Sequence, residues 1–373
     1  MSAASQLQLR ARRARAPPSL ATHYSLHFLP PSLTPRRYLP FDAVLASGES
    51  AAAAHNRYPE LWSEVNAAAL AEAGRRGGGA DDAVFFTRSG FRAAPGSASL
   101  AWHGDQLVTW DGYDGMRSAL TCALSGGHSG YALSHSDTGG YTMLQLRNVS
   151  VRGAFVNATT GTLEVVRSKE LLLRWMELSA FADALYRTHP GNLPKLSAQW
   201  DSDANTTAHF ARFARVFVAL GPYRRELMAD AAAKGWPLVR SLWMAYAGED
   251  DETSDPQADA RARAVQDQFA LGDELLVAPV MTQGASARKI FFPALRAAEG
   301  RWMSVWTSAP VPDTGTKAAE VEAWPAPMGQ PPVFFKEFSQ AKGITGGELA
   351  KAIVAAAAAA GNHTNHNGTT ATS

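Results

Sequence analysis

The chain has little of several things, and each shortage removes a class of protein. Its 373 residues include a single cysteine, Cys122, so neither an intrachain disulfide nor a cysteine-based zinc cluster can form. No run of about 18 uninterrupted apolar residues occurs, so no helical membrane span is signalled. Neither sign of charge prevails. With 35 Lys+Arg against 34 Asp+Glu the net charge is +1, which offers no bulk attraction to nucleic acid or to an anionic membrane. No G-x-G-x-x-G or Walker-type loop is present. His128, His135 and Asp137 come without a helical H-x-x-x-H partner pair, so no metal and no cofactor is implied.

Acidic residues are missing from one region in particular. Residues 1–41 hold Arg10, Arg12, Arg13, Arg15, Arg36 and Arg37 but no Asp or Glu, and they are broken by Pro17, Pro18, Pro30, Pro31, Pro35 and Pro40. The segment shows neither helical nor strand periodicity and has no continuous apolar core of a secretory signal. Two readings stay open: an organelle transit peptide, or a start joined incorrectly to the rest of the chain. Sequons at Asn148, Asn157, Asn205, Asn362 and Asn367 matter only on the secretory route, so a plastid and a secretory destination both remain possible.

What is present is a large globular chain, 46% hydrophobic, with enough length for a sizeable core. Leu61, Val65, Ala68 and Glu72 mark a helix that Gly74, Arg75 and Arg76 should stop, ahead of a Gly77–Gly79 loop. Residues 83–87 and 99–102 read as short buried strands. Met116, Ala119, Leu120, Ala123 and Leu124 give a helix with one buried stripe, which the glycines from Gly126 to Gly130 should break. Residues 148–166 read as a polar insertion. Ser168 then offers an N-cap for an amphipathic run through Leu171, Leu172, Trp175, Leu178 and Ala182, and Phe210, Phe213, Ala214, Phe217 and Leu220 define a later helix. This alternation argues for a parallel α/β architecture. Residues 276–340 read instead as a small all-β module, and the alanine run 353–360 with its polar end as a disordered tail.

Polar residues that come directly after strands are candidates for a site, because strand-to-helix loops converge on one face of a parallel barrel. Arg88, Asp105 and Asp137 occupy such positions. Two carboxylates and a guanidinium suit glycoside hydrolysis, where one acid protonates the leaving oxygen and a second carboxylate supports or attacks the anomeric carbon. Spacing alone equally allows Asp105 as a turn or helix cap, Asp137 as a turn residue and Arg88 as an ion-pair partner. Gly127-His128-Ser129-Gly130-Tyr131 nearly matches a nucleophile elbow but has Tyr131 where the last glycine must pack.

Trp102-His103-Gly104-Asp105-Gln106 resembles the W-x-G-D motif of family-31 glycoside hydrolases, retaining α-glycosidases. The likeness continues in order through 85–90, Ser136-Asp137-Thr138-Gly139-Gly140-Tyr141, Arg187-Thr188-His189-Pro190-Gly191-Asn192 and 272–280. Leu39-Pro40, 55–59 and Ser134-His135-Ser136-Asp137 with Tyr141 resemble the branch that cleaves α-sulfoquinovosides. The resemblance implies the C-terminal half of a (β/α)8 TIM barrel over residues 38–275, then a small β-sandwich over 276–340, with 1–37 unrelated and 341–373 a low-complexity tail. It implies Asp105 as general acid/base, and Arg88, His189, Tyr141, Asp137 and Trp102 as substrate-binding residues. The expected partner is a small-molecule α-glycoside. An α-glucosidase or α-xylosidase of the same family, and a carbohydrate-binding remnant without turnover, are the alternatives.

One departure stands out. The family's nucleophile is an aspartate four residues before the tyrosine matched by Tyr38, and that position here is Thr34. The resemblance therefore implies an incomplete chain that cannot form the covalent intermediate of a retaining mechanism.

Overall fold

A computed structural model describes residues 42–75, 83–146, 156–157, 162–246 and 256–359. The 1–37 segment with Thr34, the expected loop at Gly77–Gly79 and the sequons at Asn148, Asn362 and Asn367 lie outside these residues. The chain divides into two compact units, one ending at Trp102 and the other beginning at His103.

In the first unit, α1 (Ala51–Ala54) starts at Ser50, whose hydroxyl accepts from Ala53 N–H, and α2 (Arg57–Arg75) ends where the glycine and arginine signal placed it. Glu60 of α2 is buried and accepts from Ala93 N–H at 2.6 Å. Strands β1 (Phe86–Thr87) and β2 (Leu100–Trp102) pair in parallel, Phe86 opposite Leu100. The strand expected over 83–87 is shorter and less buried than its composition suggests: Val84 is 63% exposed and Phe86 43%.

The second unit holds α3 (Met116–His128), β3 (Ser134–His135), β4 (Leu144–Leu146), β5 (Val156–Asn157), β6 (Thr162–Val165), α4 (Lys169–Ala182), α5 (Ala204–Ala219) and α6 (Gly221–Lys234). It continues with β7 (Val239–Arg240), α7 (Leu242–Tyr246), α8 (Pro256–Ala264), β8 (Phe269–Leu271), β9 (Leu275–Val277), β10 (Ala287–Phe292), β11 (Trp302–Ser304), β12 (Ala319–Pro325), β13 (Val333–Lys336) and α9 (Gly346–Ala358). A helix-rich portion thus precedes a strand-rich one, as the fold class requires.

Helix α3 buries Met116, Ala119, Leu120, Ala123 and Leu124, the stripe read from the sequence. It does not break at Gly126. A Cβ on Gly127 would sit 3.0 Å from Pro237 Cγ and 3.3 Å from Val239 O, so these glycines let the helix lie against the chain leading into β7. The expected polar insertion contributes β5 and β6, which join β4 in an antiparallel sheet ordered β4-β6-β5.

Helix α4 is capped by Ser168, which accepts from Leu171 N–H. Its run is not amphipathic in the folded chain, because every residue from Leu171 to Ala182 is buried. Arg174 and Glu177 of that helix bond to one another and to the strand-rich portion. Arg174 donates to Glu177 at 2.7 Å and to Ala326 O at 2.7 Å, and Glu177 accepts from Gly329 N–H at 2.6 Å.

Strands β11-β13-β9-β8-β7 form one antiparallel sheet in that order. Leu275, Val277, Val333 and Phe335 pack into the core shared with the helices, while Leu276 and Phe334 pack on the other face against Ile290 and Phe292 of the β10–β12 ribbon. A sheet covered on both faces explains why Leu275-Leu276-Val277 reads as an unbroken apolar run. The expected division at 275/276 falls inside β9, and the sheet reaches back to Val239.

The alanine run is a helix rather than a disordered tail. Thr345 and Glu348 form a capping box at its start, and Arg212 and Arg215 donate to Ala357 O and Ala356 O at its end. Leu349, Ala350, Ile353 and Ala357 bury one face against α5 and β13. Low complexity hid a 3.6-residue apolar stripe.

The packing can be tested at two positions. Ile353→Ala should cost about 2–4 kcal/mol in urea denaturation, the range for truncating a fully buried aliphatic side chain; no change would mean α9 is undocked. Burial holds the His209 imidazole down to about 4. Its neutral form donates to Leu173 O at 3.1 Å. Because the unfolded group titrates near 6.5, stability is lost as pH falls from about 6.5 toward 4. His209→Gln should remove on the order of 2 kcal/mol of that acid sensitivity, measured by melts between pH 7 and 5.

Candidate active site

The site in the second unit is assembled on the loop that leaves β3. Ser136 donates from its N–H (3.1 Å) and its hydroxyl (2.9 Å) to Asp183, a fully buried carboxylate at the C-terminal end of α4. Trp175 Nε1 donates to the same hydroxyl at 3.0 Å. Burial raises the Asp183 carboxyl, opposed by His135 and by hydrogen bonds from Ser179 and Ser136. Thr138 N–H donates to Arg187 O at 3.1 Å, which ties this loop to the 187–192 segment in a parallel bridge between Thr138 and Thr188.

Asp137 ends that turn and is 1% exposed. Its Oδ1 lies 3.3 Å from Arg187 Nη1 and 3.7 Å from His135 Nε2. That oxygen therefore faces protein groups. Gly139 and Gly140 come next with φ of +92° and +76°, a left-handed pair that sends the chain back toward residues 105–108.

There Tyr141 N–H and Thr142 N–H both donate to Gln106 O at 2.9 Å, and Thr142 Oγ1 donates to Asp105 O at 2.9 Å. These bonds set Asp105 beside Tyr141. The Tyr141 phenol is pushed up by burial and then by the nearby charges of Asp105 and Asp137, so it keeps its proton and remains a donor.

His189 meets Tyr141 edge to face, ring centroids 4.6 Å apart at 67°. Its Nδ1 accepts from Gly191 N–H at 3.1 Å. An accepting Nδ1 leaves Nε2 as the protonated nitrogen of the neutral ring. The imidazole is held below its ordinary value first by burial; Arg187 and Arg167 add to this, and Asp137 and Asp105 oppose it. His189 thus presents one N–H donor.

The structure brings Asp105, Asp137, Tyr141 and His189 together within the second unit. Arg88 and Trp102 belong to the first, where the Arg88 guanidinium lies 5.4 Å from the Trp102 ring centroid and Phe86 meets the same indole at 6.0 Å. Among the described residues no group of three His, Cys, Asp or Glu side chains is arranged to hold a metal ion. Near the acid motif, burial and His135 lower His103 to about 4.

Sequence reasoning missed Asp183, Asn192 as a brace, and Arg167. Asn192 Oδ1 accepts from Met143 N–H at 2.8 Å while its Nδ2 donates to Met143 O at 3.0 Å, so one side-chain amide stands in for a strand partner. Arg167 is buried and donates to carbonyls on either side of the site. Its signal was available: an arginine beside a helix N-cap, at the end of a segment that reads as an insertion.

Two family descriptions match this chain: the Glycosyl hydrolases family 31 TIM-barrel domain over residues 16–226, and the Glycosyl hydrolase family 31 C-terminal domain over residues 235–339. The first match extends upstream of Tyr38. The chain is 38% identical to a sulfoquinovosidase of Escherichia coli (strain K12) over 303 residues, 81% of this chain and 38% of that protein. It is 38% identical to a sulfoquinovosidase of Agrobacterium fabrum over 299 residues, 80% of this chain and 39% of that one. Among solved structures, a family-31 sulfoquinovosidase from E. rectale in complex with the aza-sugar inhibitor IFGSQ superposes with a TM-score of 0.66 at 31% identity, covering 85% of this chain and 40% of that one. The chain spans about two fifths of the length of these relatives.

Asn192→Ala should cost about 2 kcal/mol in chemical denaturation, because it strands the Met143 N–H and C=O together. Asn192→Asp, which keeps the acceptor and loses the donor, should fall between; an unchanged midpoint for both would refute the brace.

Proposed function

The chain belongs to glycosyl hydrolase family 31, and on that premise we propose that it carries the acid/base and sugar-recognition part of a site for α-sulfoquinovosides. The observation that supports this reading best is the convergence of Asp105, Tyr141 and His189, joined to 38% identity with two sulfoquinovosidases.

Asp105 is the general acid/base. It stands where the family's acid protonates the glycosidic oxygen as the bond to the anomeric carbon breaks, and later takes a proton from the attacking water. His189, neutral and protonated on Nε2, donates to a sugar hydroxyl. Tyr141 keeps its phenolic proton and donates to a sulfonate oxygen; a permanently ionised sulfonate favours charge-assisted bonds of this kind. Asp137 acts from beneath, holding Arg187 and shaping the field at Tyr141 and His189.

A retaining mechanism needs a second carboxylate as nucleophile. Thr34 stands at the position where the family pattern has that aspartate, and a threonine hydroxyl is not a carboxylate. The 373-residue polypeptide alone therefore binds without turning over.

The test has two arms. The purified chain should release no p-nitrophenol from p-nitrophenyl α-sulfoquinovoside above the buffer rate; measurable release would refute inactivity. In an NMR titration sulfoquinovose should shift the ring signals of Tyr141 and His189 more than glucose does; a larger glucose response would assign the site to an α-glucosidase.

A further inference from the structure

Arg167 immediately precedes the N-cap of α4, is 2% exposed, and plays no part in the sugar contacts proposed for the site. Its five hydrogen bonds all reach neutral oxygens. Nε donates to Ala198 O at 2.9 Å, Nη1 to Gly140 O at 3.0 Å and His189 O at 2.8 Å, and Nη2 to Gln199 Oε1 at 3.1 Å and Pro190 O at 3.4 Å. Burial without a hydrogen-bonded carboxylate pulls this guanidinium down to about 10, against the pull of Asp137.

The placement of those oxygens is what matters. Gly140 carries the carbonyl immediately before Tyr141, and the second acceptor of Nη1 is His189 itself. A single nitrogen thus ties together the backbones that bear the two rings found 4.6 Å apart. Nη2 and Nε extend the tie to Pro190 and to the 198–199 segment, where Gln199 Nε2 donates back to Pro190 O at 3.1 Å. A planar guanidinium serves acceptors from three nitrogens held a fixed distance apart, whereas an ammonium offers all its donors from one atom.

Gly139 gives an independent handle. A Cβ there would fall 2.8 Å from Arg167 Cδ and 2.7 Å from Leu172 Cδ1, so the backbone turn and the arginine stem occupy one another's space.

We propose that Arg167 is a positioning residue that sets the Tyr141–His189 arrangement through backbone carbonyls, without touching substrate. The proposal rests on the reading of Tyr141 and His189 as sugar-contacting groups.

The test is NMR on the full chain and its Arg167→Lys, Arg167→Met and Gly139→Ala variants. It tracks the His189 ring titration and the Tyr141–His189 ring-to-ring cross-peaks, with His209 as an internal control for the fold. In the parent chain His189 should titrate below its ordinary value and the cross-peaks should be strong. In all three variants the cross-peaks should weaken and the His189 midpoint move up toward 6.5, while His209 stays near 4. Arg167→Lys decides between charge and shape: restored signals would mean that the positive charge alone suffices and would overturn the proposal. Unchanged His189 signals in all variants, or His189 and His209 shifting together with loss of the melt, would overturn it as well.

Sulfoquinovose binding separates this inference from the reading beneath it. About tenfold weaker binding in Arg167→Lys is expected, the loss of roughly one hydrogen bond's worth of alignment. No sulfoquinovose binding in the parent chain, with the His189 changes as described, would sink the substrate reading and leave the positioning role standing. Equal binding in the parent and Arg167→Lys, with His189 unchanged, would do the reverse.

Discussion

A helix that exposes no side must find partners for the polar side chains it carries, and α4 is such a helix. From Leu171 to Ala182 every residue is buried, yet Arg174, Glu177 and Ser179 are among them. An unpaired buried polar group costs about 1–3 kcal/mol, and a charged one more, so each of these side chains dictates what lies opposite. Arg174 and Glu177 fix carbonyls and an N–H of the strand-rich portion. Ser179 reaches Thr138, and Asp183 just beyond the helix holds Ser136, so the loop that leads to Tyr141 is hung from the same helix. The two portions of the second unit are arranged by one requirement of satisfaction.

The electrostatics of the site show why composition alone is silent about it. A chain with net charge +1 gathers Asp105, Asp137, Arg167, Arg187 and His189 into one neighbourhood, where burial is the first influence on each group that moves. Tyr141 is pushed up and His189 down, and both changes leave a neutral donor. Both shifts favour the neutral form, in which each group holds a fixed donor hydrogen.

Much of the fold was legible in the sequence, and what escaped did so for physical reasons. The stripe of α3, the N-cap of α4 and the end of α2 are local signals, and local signals survive folding. Gly126 and Gly127 look like a stop in the sequence, although the role of Gly127 is a close approach to Pro237 that only the tertiary structure reveals. The alanine run lost its pattern in uniform composition, although its Thr345-to-Glu348 capping box was there to be read. In the site, Asp105, Tyr141 and His189 were singled out through the resemblance of their ordered motifs to a family pattern. Arg167, Asp183 and Asn192 were not, since each works on backbone groups or on neighbours distant in sequence.

The sheet that takes β7 from the helix-rich portion and β8, β9, β11 and β13 from the strand-rich one makes the border between them a row of shared hydrogen bonds rather than a tether. Recombination that exchanged the C-terminal part of this protein for another would have to carry Val239–Arg240 along, or leave β8 with an unmatched edge. Inheritance of the two portions is therefore coupled.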